Sequence, residues 1–538
     1  SGESGGGAAY AAHMVQSQRI LDGGLPNFIE ERLRLPALAQ MLAEVLFGGA
    51  WPLDPQEKGL RKKFKSPKAR AALSFQSLYV GLTPYDAPAV FNLLQPLELG
   101  PVPDPRRAES EPPAQGVFYP TGGFGTVSAA LLQLCRSRGV EVEFGQRAET
   151  VHVENQRVVG LTVEGANEAK AAGGARAVGG AVGAVGSQRR RRVVKAKKVL
   201  VNADLAVAEE ALLRGGGAGL FERSEEEEAE VLFSEVQGVR DFSDKQLSCS
   251  VVAFHWALDL ELKGLAHHSL FLAVDEGGGG GWDDEKARPL DEPRRRAAWD
   301  WEESAAARGM LRTSPGGSAG EEGENPFLER RLGGADSRGC VNFYVHAPSR
   351  TDPSATSQPG HDAITVLVPV ATTSQRKGGK KRSAVPSPLR NRQQQQEEQE
   401  EQKRATQAEE IEAAEEAAEE ARLVANARRL VLGAFNRAWP DLGGSDSGAV
   451  GGGGGVEAHI VAERVVAPTD WRDTQELRGG AVFGLATPLS QLSLFRPGPR
   501  HPSVKGLFFC GASARPGNGV PLVLIGAKQV SEVILGDE

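Results

Sequence analysis

The residues best suited to chemistry lie near the C-terminus. Leu507-Phe508-Phe509-Cys510 is a short apolar run, followed by Gly511-Ala512-Ser513 and by Arg515-Pro516-Gly517-Asn518-Gly519-Val520-Pro521. The stretch from about Leu522 to Leu535 then reads as a helix. Strand, glycine-rich turn and helix in that order bring backbone N–H groups and a helix N-terminus to one point. Small residues let the backbone approach a ligand closely. The arrangement suits a pyrophosphate, or the ribityl chain and isoalloxazine edge of a flavin. A tight loop capped by proline and glycine would use the same residues.

A second glycine cluster, Gly122-Gly123-Phe124-Gly125, follows Val117-Phe118-Tyr119-Pro120 and precedes a helix expected over Val127 to Arg138. It lacks the third glycine of a dinucleotide fingerprint, where Ser128 stands, so it reads as a turn that positions the helix. No HExxH or carboxylate–histidine spacing marks a metal site, and no GxSxG elbow is present. The adjacent His267 and His268 are expected to point in different directions, as a surface or pocket pair rather than ligands.

The elements that must hold these residues are legible between four biased segments. Leu21 to Phe47 has apolar residues at helical spacing, and Ala37 to Phe47 reads as an amphipathic helix. Strands are expected at Val140–Phe144, on both sides of a hairpin at Asn155-Gln156, and at Lys197–Asn202. Further strands are expected at Leu247–Leu258, Val341–His346 and Ala363–Val370. The mixed order predicts an α/β fold with a second, more antiparallel sheet domain.

The biased segments are 166–192 (ending Arg189-Arg190-Arg191-Arg192), 276–339, 372–420 and 443–455. They offer too little apolar surface to offset chain entropy, so they read as surface loops. Ala408 to Leu432 differs, because its strong helix formers predict a solvent-facing helix. A net charge of −8 argues against nucleic acid as a partner. Cys135, Cys249, Cys340 and Cys510 are far apart and read as buried free thiols. No apolar run is long enough to span a membrane. The chain opens Ser1-Gly2-Glu3-Ser4 without an initiator methionine, and is read as a fragment whose targeting information is not visible.

Several blocks, in order, resemble bacterial- and fungal-type phytoene desaturases. They are Phe75 to Ala89 (FQSLYVGLTPYDAPA), Gly116 to Phe124 (GVFYPTGGF), Asn202 to Leu205 and Tyr344 to Ser354 (YVHAPSRTDPS). Val366 to Val370, Phe495-Arg496-Pro497, Arg500-His501-Pro502 and Phe509 through Lys528 complete the series. The resemblance implies an FAD-dependent, peripheral membrane enzyme that desaturates phytoene towards lycopene, with quinone or oxygen as electron acceptor and a plastid as one candidate compartment. It implies an FAD-binding Rossmann-like domain, incomplete at the N-terminus because no GxGxxG-bearing βαβ unit precedes Leu73. A mixed-sheet substrate domain and a helical membrane-contacting part complete the expected fold. The expected division is 12–112 helical, 113–215 FAD-binding, 216–495 substrate domain and 496–538 the C-terminal FAD-binding segment. Flavin contacts are expected at Gly511, Ala512, Ser513, Gly519, Val520 and Pro521, and at Ala148, Asn202 and Ala203. An acid/base pair proposed for the family maps onto Glu31 and Arg34, which equally suit a charged helix face. Alternatives are a carotenoid isomerase or related polyene oxidoreductase, and a truncated, non-catalytic remnant.

Overall fold

The computed structural model describes residues 5–24, 53–100, 116–165, 190–213, 240–272, 342–373, 392–443, 454–492 and 495–536. Most of the 166–192, 276–339 and 443–455 segments, the Ala37–Phe47 helix, Cys340, and both Glu31 and Arg34 lie outside them. The helices are α1 (Gly6–Gly24), α2 (Gln56–Lys63), α3 (Pro67–Ser74), α4 (Leu94–Leu99), α5 (Phe124–Ser137), α6 (Leu205–Ala208), α7 (Arg392–Ala438), α8 (Pro468–Asp473) and α9 (Val520–Leu535). The strands are β1 (Gln146–Glu154), β2 (Arg157–Gly165), β3 (Arg190–Lys195), β4 (Val199–Val201), β5 (Ser250–Leu258), β6 (His268–Phe271), β7 (Phe343–His346), β8 (Asp362–Val370), β9 (Ile460–Val466) and β10 (Leu507–Phe509). This mixture of helix and sheet fits an α/β fold.

The principal core joins the five-stranded antiparallel sheet, ordered β6-β7-β8-β5-β9, to the C-terminal half of α7. Alternate residues Val252, Phe254, Trp256 and Leu258 of β5, with Ile364, Val366 and Val368 of β8, face the helix. Leu423, Ala427, Val431 and Phe435 answer them at four-residue spacing, each fully buried. This corrects the solvent-facing reading of Ala408–Leu432: a third of a long polar helix is enough to close one face of a sheet. Arg350 fastens the start of the central strand β8 by a bidentate bond to Asp362, at 2.6 and 2.9 Å.

A three-stranded sheet, β1-β2-β3, is built on the expected hairpin, with Asn155 and Gln156 in the left-handed region at φ 49° and 56°. Arg190 to Arg192, expected in a loop, instead pair as β3 against β2, and Arg191 and Arg192 bond Glu149 and Glu143. Val140–Phe144 is not a strand: among the described residues nothing pairs with it, and Phe144 is exposed. Nor does α5 bury any residue. Of the described cysteines only Cys249 is buried; Cys135 is exposed and Cys510 half-buried. No helix among the described residues is long and apolar enough to cross a membrane.

Candidate active site

The C-terminal tail folds as its sequence predicts. β10 runs parallel to β4, with Leu507, Phe508 and Phe509 opposite Val199, Leu200 and Val201. Phe508 packs on Val530 and Val533 of α9, so strand and helix share a small core. Both strands end at the same level, where Gly511 and Asn202 meet. A Cβ at Gly511 would stand 2.8 Å from Asn202 Oδ1, and its φ of 105° favours glycine. Cys510 Sγ also donates to Asn202 Oδ1, at 3.3 Å.

One buried side chain holds the turn. The Arg496 guanidinium donates to the carbonyls of Ala512 (2.5 Å), Ala514 (3.3 Å), Leu485 (3.0 Å) and Ala486 (3.2 Å). It is 1% exposed, and burial pulls its pKa down to about 10, still leaving it charged at neutral pH. A planar fork with five donors can clamp two loops in this way. Ser513 is buried as well: its hydroxyl donates to Asp204 Oδ2 (3.2 Å) and accepts from the Leu485 N–H (3.2 Å). Beyond these anchors the loop opens. Gly519, Val520 and Pro521 are exposed, and a Cβ at Gly519 would meet nothing within 4 Å.

The tail therefore leaves an open helix N-terminus at Gly519–Pro521, which could take one edge of a flavin, while Gly511 packs closely on Asn202. Asn202 and Ala203 stand exposed beside it at the end of β4. Ala148 is exposed on a different sheet, linked to the tail region through the Val158 N–H to Lys505 carbonyl bond, 3.0 Å. The Gly122 turn is not a phosphate cradle. Its N–H donates to the Asp352 carboxylate at 2.6 Å, a charge that would repel phosphate.

The face of the five-stranded sheet away from α7 carries ordered cross-strand rows. His268, His346, Thr365, His255 and Arg464 form one. Leu270, Tyr344, Leu367, Ala253 and Val466 form the next, mostly apolar. The second row is nearer the tail, because β5 begins where Cys249 accepts from the Val482 N–H (3.2 Å) and Ser248 donates to Gly484 (2.9 Å). His267 and His268 do not diverge as expected: both rings gather on His346, with His267 Nε2 3.0 Å from His346 Nε2. Burial, reinforced by the two neighbouring rings, pushes His346 down to about 4, so it is neutral at pH 7. Among the described residues no group of three or more histidine, cysteine or acidic side chains is placed to hold a metal.

Tail and sheet face are bridged by the Phe75–Val80 3₁₀-helix: Asn518 Nδ2 donates to the Tyr79 carbonyl at 2.8 Å. Glu98 on α4, which the sequence alone does not single out, lies against this segment and accepts from Gln76 Nε2 at 3.3 Å.

No protein-family model matches the chain. Curated relatives do. A phytoene desaturase of Fusarium fujikuroi is 24% identical over 533 residues, 98% of this chain and 68% of its own length. One of Neurospora crassa is 26% identical over 88% of this chain and 55% of its own length. A zeta-carotene-forming phytoene desaturase of Myxococcus xanthus is 26% identical over 88% of this chain and 60% of its own. The chain thus spans roughly half to two-thirds of the length of these relatives. Over most of its length the chain is thus similar to curated phytoene desaturases.

Proposed function

We propose that the protein is an FAD-dependent carotenoid desaturase that introduces double bonds into phytoene, towards lycopene. The observation that carries this reading is the tail: a pinned glycine turn, open at Gly519–Pro521, beside a largely apolar sheet row. FAD would be held by Gly511, Ala512, Ser513, Gly519, Val520 and Pro521, with Asn202, Ala203 and Ala148 on the flanks. Ser513, its hydroxyl already engaged, would serve through its backbone. When bound, the flavin supplies the two-electron oxidation that no side chain can perform.

The chain's own residues would bind and orient the hydrocarbon. Leu270, Leu367 and Val466, each partly exposed, offer an apolar floor, and alignment of a long polyene needs shape more than polar contacts. In this reading residues 113–215 and 496–538 form the flavin-binding, Rossmann-like part, and 216–495 the substrate domain. Residues 12–112 form a helical region that meets the membrane surface from which a C40 hydrocarbon is drawn, a plastid membrane among the candidates. Proton transfer would fall to a protein side chain, for which the resemblance suggests Glu31 with Arg34 and the described residues offer Glu98, and quinone or oxygen would reoxidise the cofactor.

The test is expression of the full-length protein in phytoene-accumulating cells, with pigments read by absorbance. Coloured, conjugated products are expected. Flavin-loaded protein that leaves phytoene unchanged would overturn the assignment; isomerised but no more unsaturated polyene would favour an isomerase instead.

A further inference from the structure

Desaturation removes a hydride from one carbon and a proton from its neighbour, and the proton needs an acceptor on the protein. Glu98 stands where three elements converge. Gln76 and Tyr79 are three residues apart on a 3₁₀-helix and therefore share one face. Gln76 bonds the Glu98 carboxylate, and the phenols of Tyr79 and of Tyr344, from the apolar sheet row, both interact with its charge. Tyr79 in turn is fixed to the tail through Asn518. The carboxylate is thus bonded to the helix that Asn518 anchors to the tail, and lies within electrostatic reach of Tyr344 on the sheet.

A second observation concerns Gln76. Its side chain is 1% exposed, yet Oε1 has no hydrogen-bond partner. An orphaned buried acceptor calls for an explanation. An amide can serve both charge states of a neighbouring carboxyl: its N–H₂ donates to the carboxylate, and after a flip its oxygen accepts from the acid. Gln76 is then matched to a carboxyl that changes protonation during turnover. The surroundings agree. Burial holds the Glu98 carboxyl above the usual range, against the pull of the Gln76 bond. Burial and the Glu98 charge raise Tyr344 to about 12 and also raise Tyr79, so both phenols stay protonated, and His268 bonds the Tyr344 hydroxyl.

We propose that Glu98, held by Gln76 and flanked by Tyr79 and Tyr344, accepts the proton released from the polyene. This rests on the desaturase reading above. The C–H bond beside the oxidised carbon breaks, its proton goes to the Glu98 carboxylate, and its electron pair becomes the new C=C bond. The flavin, when bound, would supply the two-electron oxidation that takes up the hydride from the adjacent allylic carbon.

The experiment uses the full-length wild type, E98Q and E98D with phytoene in liposomes. It follows the pH profile of desaturation, the absorbance of bound flavin, and the Glu98 carboxyl band by infrared difference spectroscopy against E98Q. Wild-type activity should rise with pH as one carboxyl, titrating above free glutamic acid, ionises. E98Q should lose at least ~100-fold in rate with flavin loading intact, and E98D should keep part of the rate and the pH limb. Active E98Q with an unchanged profile, or a Glu98 band that titrates like free glutamic acid, overturns the assignment of Glu98 alone. If wild type and E98Q load flavin equally and neither converts phytoene, the desaturase reading falls, and this proposal with it.

Discussion

Replacing Arg496 with methionine keeps its apolar stem and removes every donor. Four main-chain carbonyls on two loops lose this donor, Leu485 and Ala486 on one, Ala512 and Ala514 on the other, and of these Ala486 keeps a bond from Gln491 Nε2 at 3.1 Å. Each unsatisfied buried carbonyl costs about 1–3 kcal/mol, and removal of the guanidinium recovers part of its burial penalty of several kcal/mol. The net expectation is a loss of about 3–5 kcal/mol, with the turn at Gly511–Ala514 no longer tied to residues 485–486. Lysine in the same place keeps the charge but has three donors without a planar fork, so an intermediate loss of about 1–3 kcal/mol is expected. Denaturant unfolding gives the stability, and absorbance of the purified protein gives flavin per chain. Arg496→Met protein within about 0.5 kcal/mol of wild type, with undiminished flavin, would refute the reasoning.

Three further outcomes follow from named contacts. Gly511→Ala combines a φ of 105° with a Cβ 2.8 Å from Asn202 Oδ1, and should cost about 1–3 kcal/mol and lower flavin occupancy; equal occupancy in a titration would count against a flavin contact at this turn. Phe435→Ala empties the centre of the sheet–helix core, where the ring meets Trp256, Phe271, Phe343 and Trp439, and should cost about 3–5 kcal/mol in denaturant unfolding. His13 is 1% exposed; it donates from Nε2 to Gln95 (2.8 Å) and accepts from Lys63 at Nδ1 (3.2 Å), and burial followed by the Lys63 charge lowers its pKa to about 4. The unfolded chain then binds the extra proton first, so up to about 3 kcal/mol of stability is lost as pH falls from about 6.5 to 4, and His13→Asn should flatten that slope.

The tail was legible because its chemistry is local: strand, turn and helix are contiguous, and each glycine has a backbone reason to be there. The sheet strands were legible for the same reason, since Val252, Phe254 and Trp256 alternate against the exposed His255. What failed depends on partners distant in sequence. Val140–Phe144 has strand composition but no strand pairs with it among the described residues. The stripe Leu423, Ala427, Val431, Phe435 was present, yet diluted by the surrounding Gln, Glu and Ala. Arg190–Arg192 looked solvated because their acidic partners, Glu143 and Glu149, stand some forty residues away. Glu98 was invisible for the most general reason. A single glutamate acquires meaning only when Gln76, Tyr79 and Tyr344 are brought around it.

The most direct test of the central claim is anaerobic addition of liposomal phytoene to the purified, flavin-loaded full-length protein. The account predicts bleaching of the oxidised flavin in step with the appearance of a longer conjugated polyene. Oxidised flavin that persists in the presence of phytoene, with no new conjugation, would contradict it.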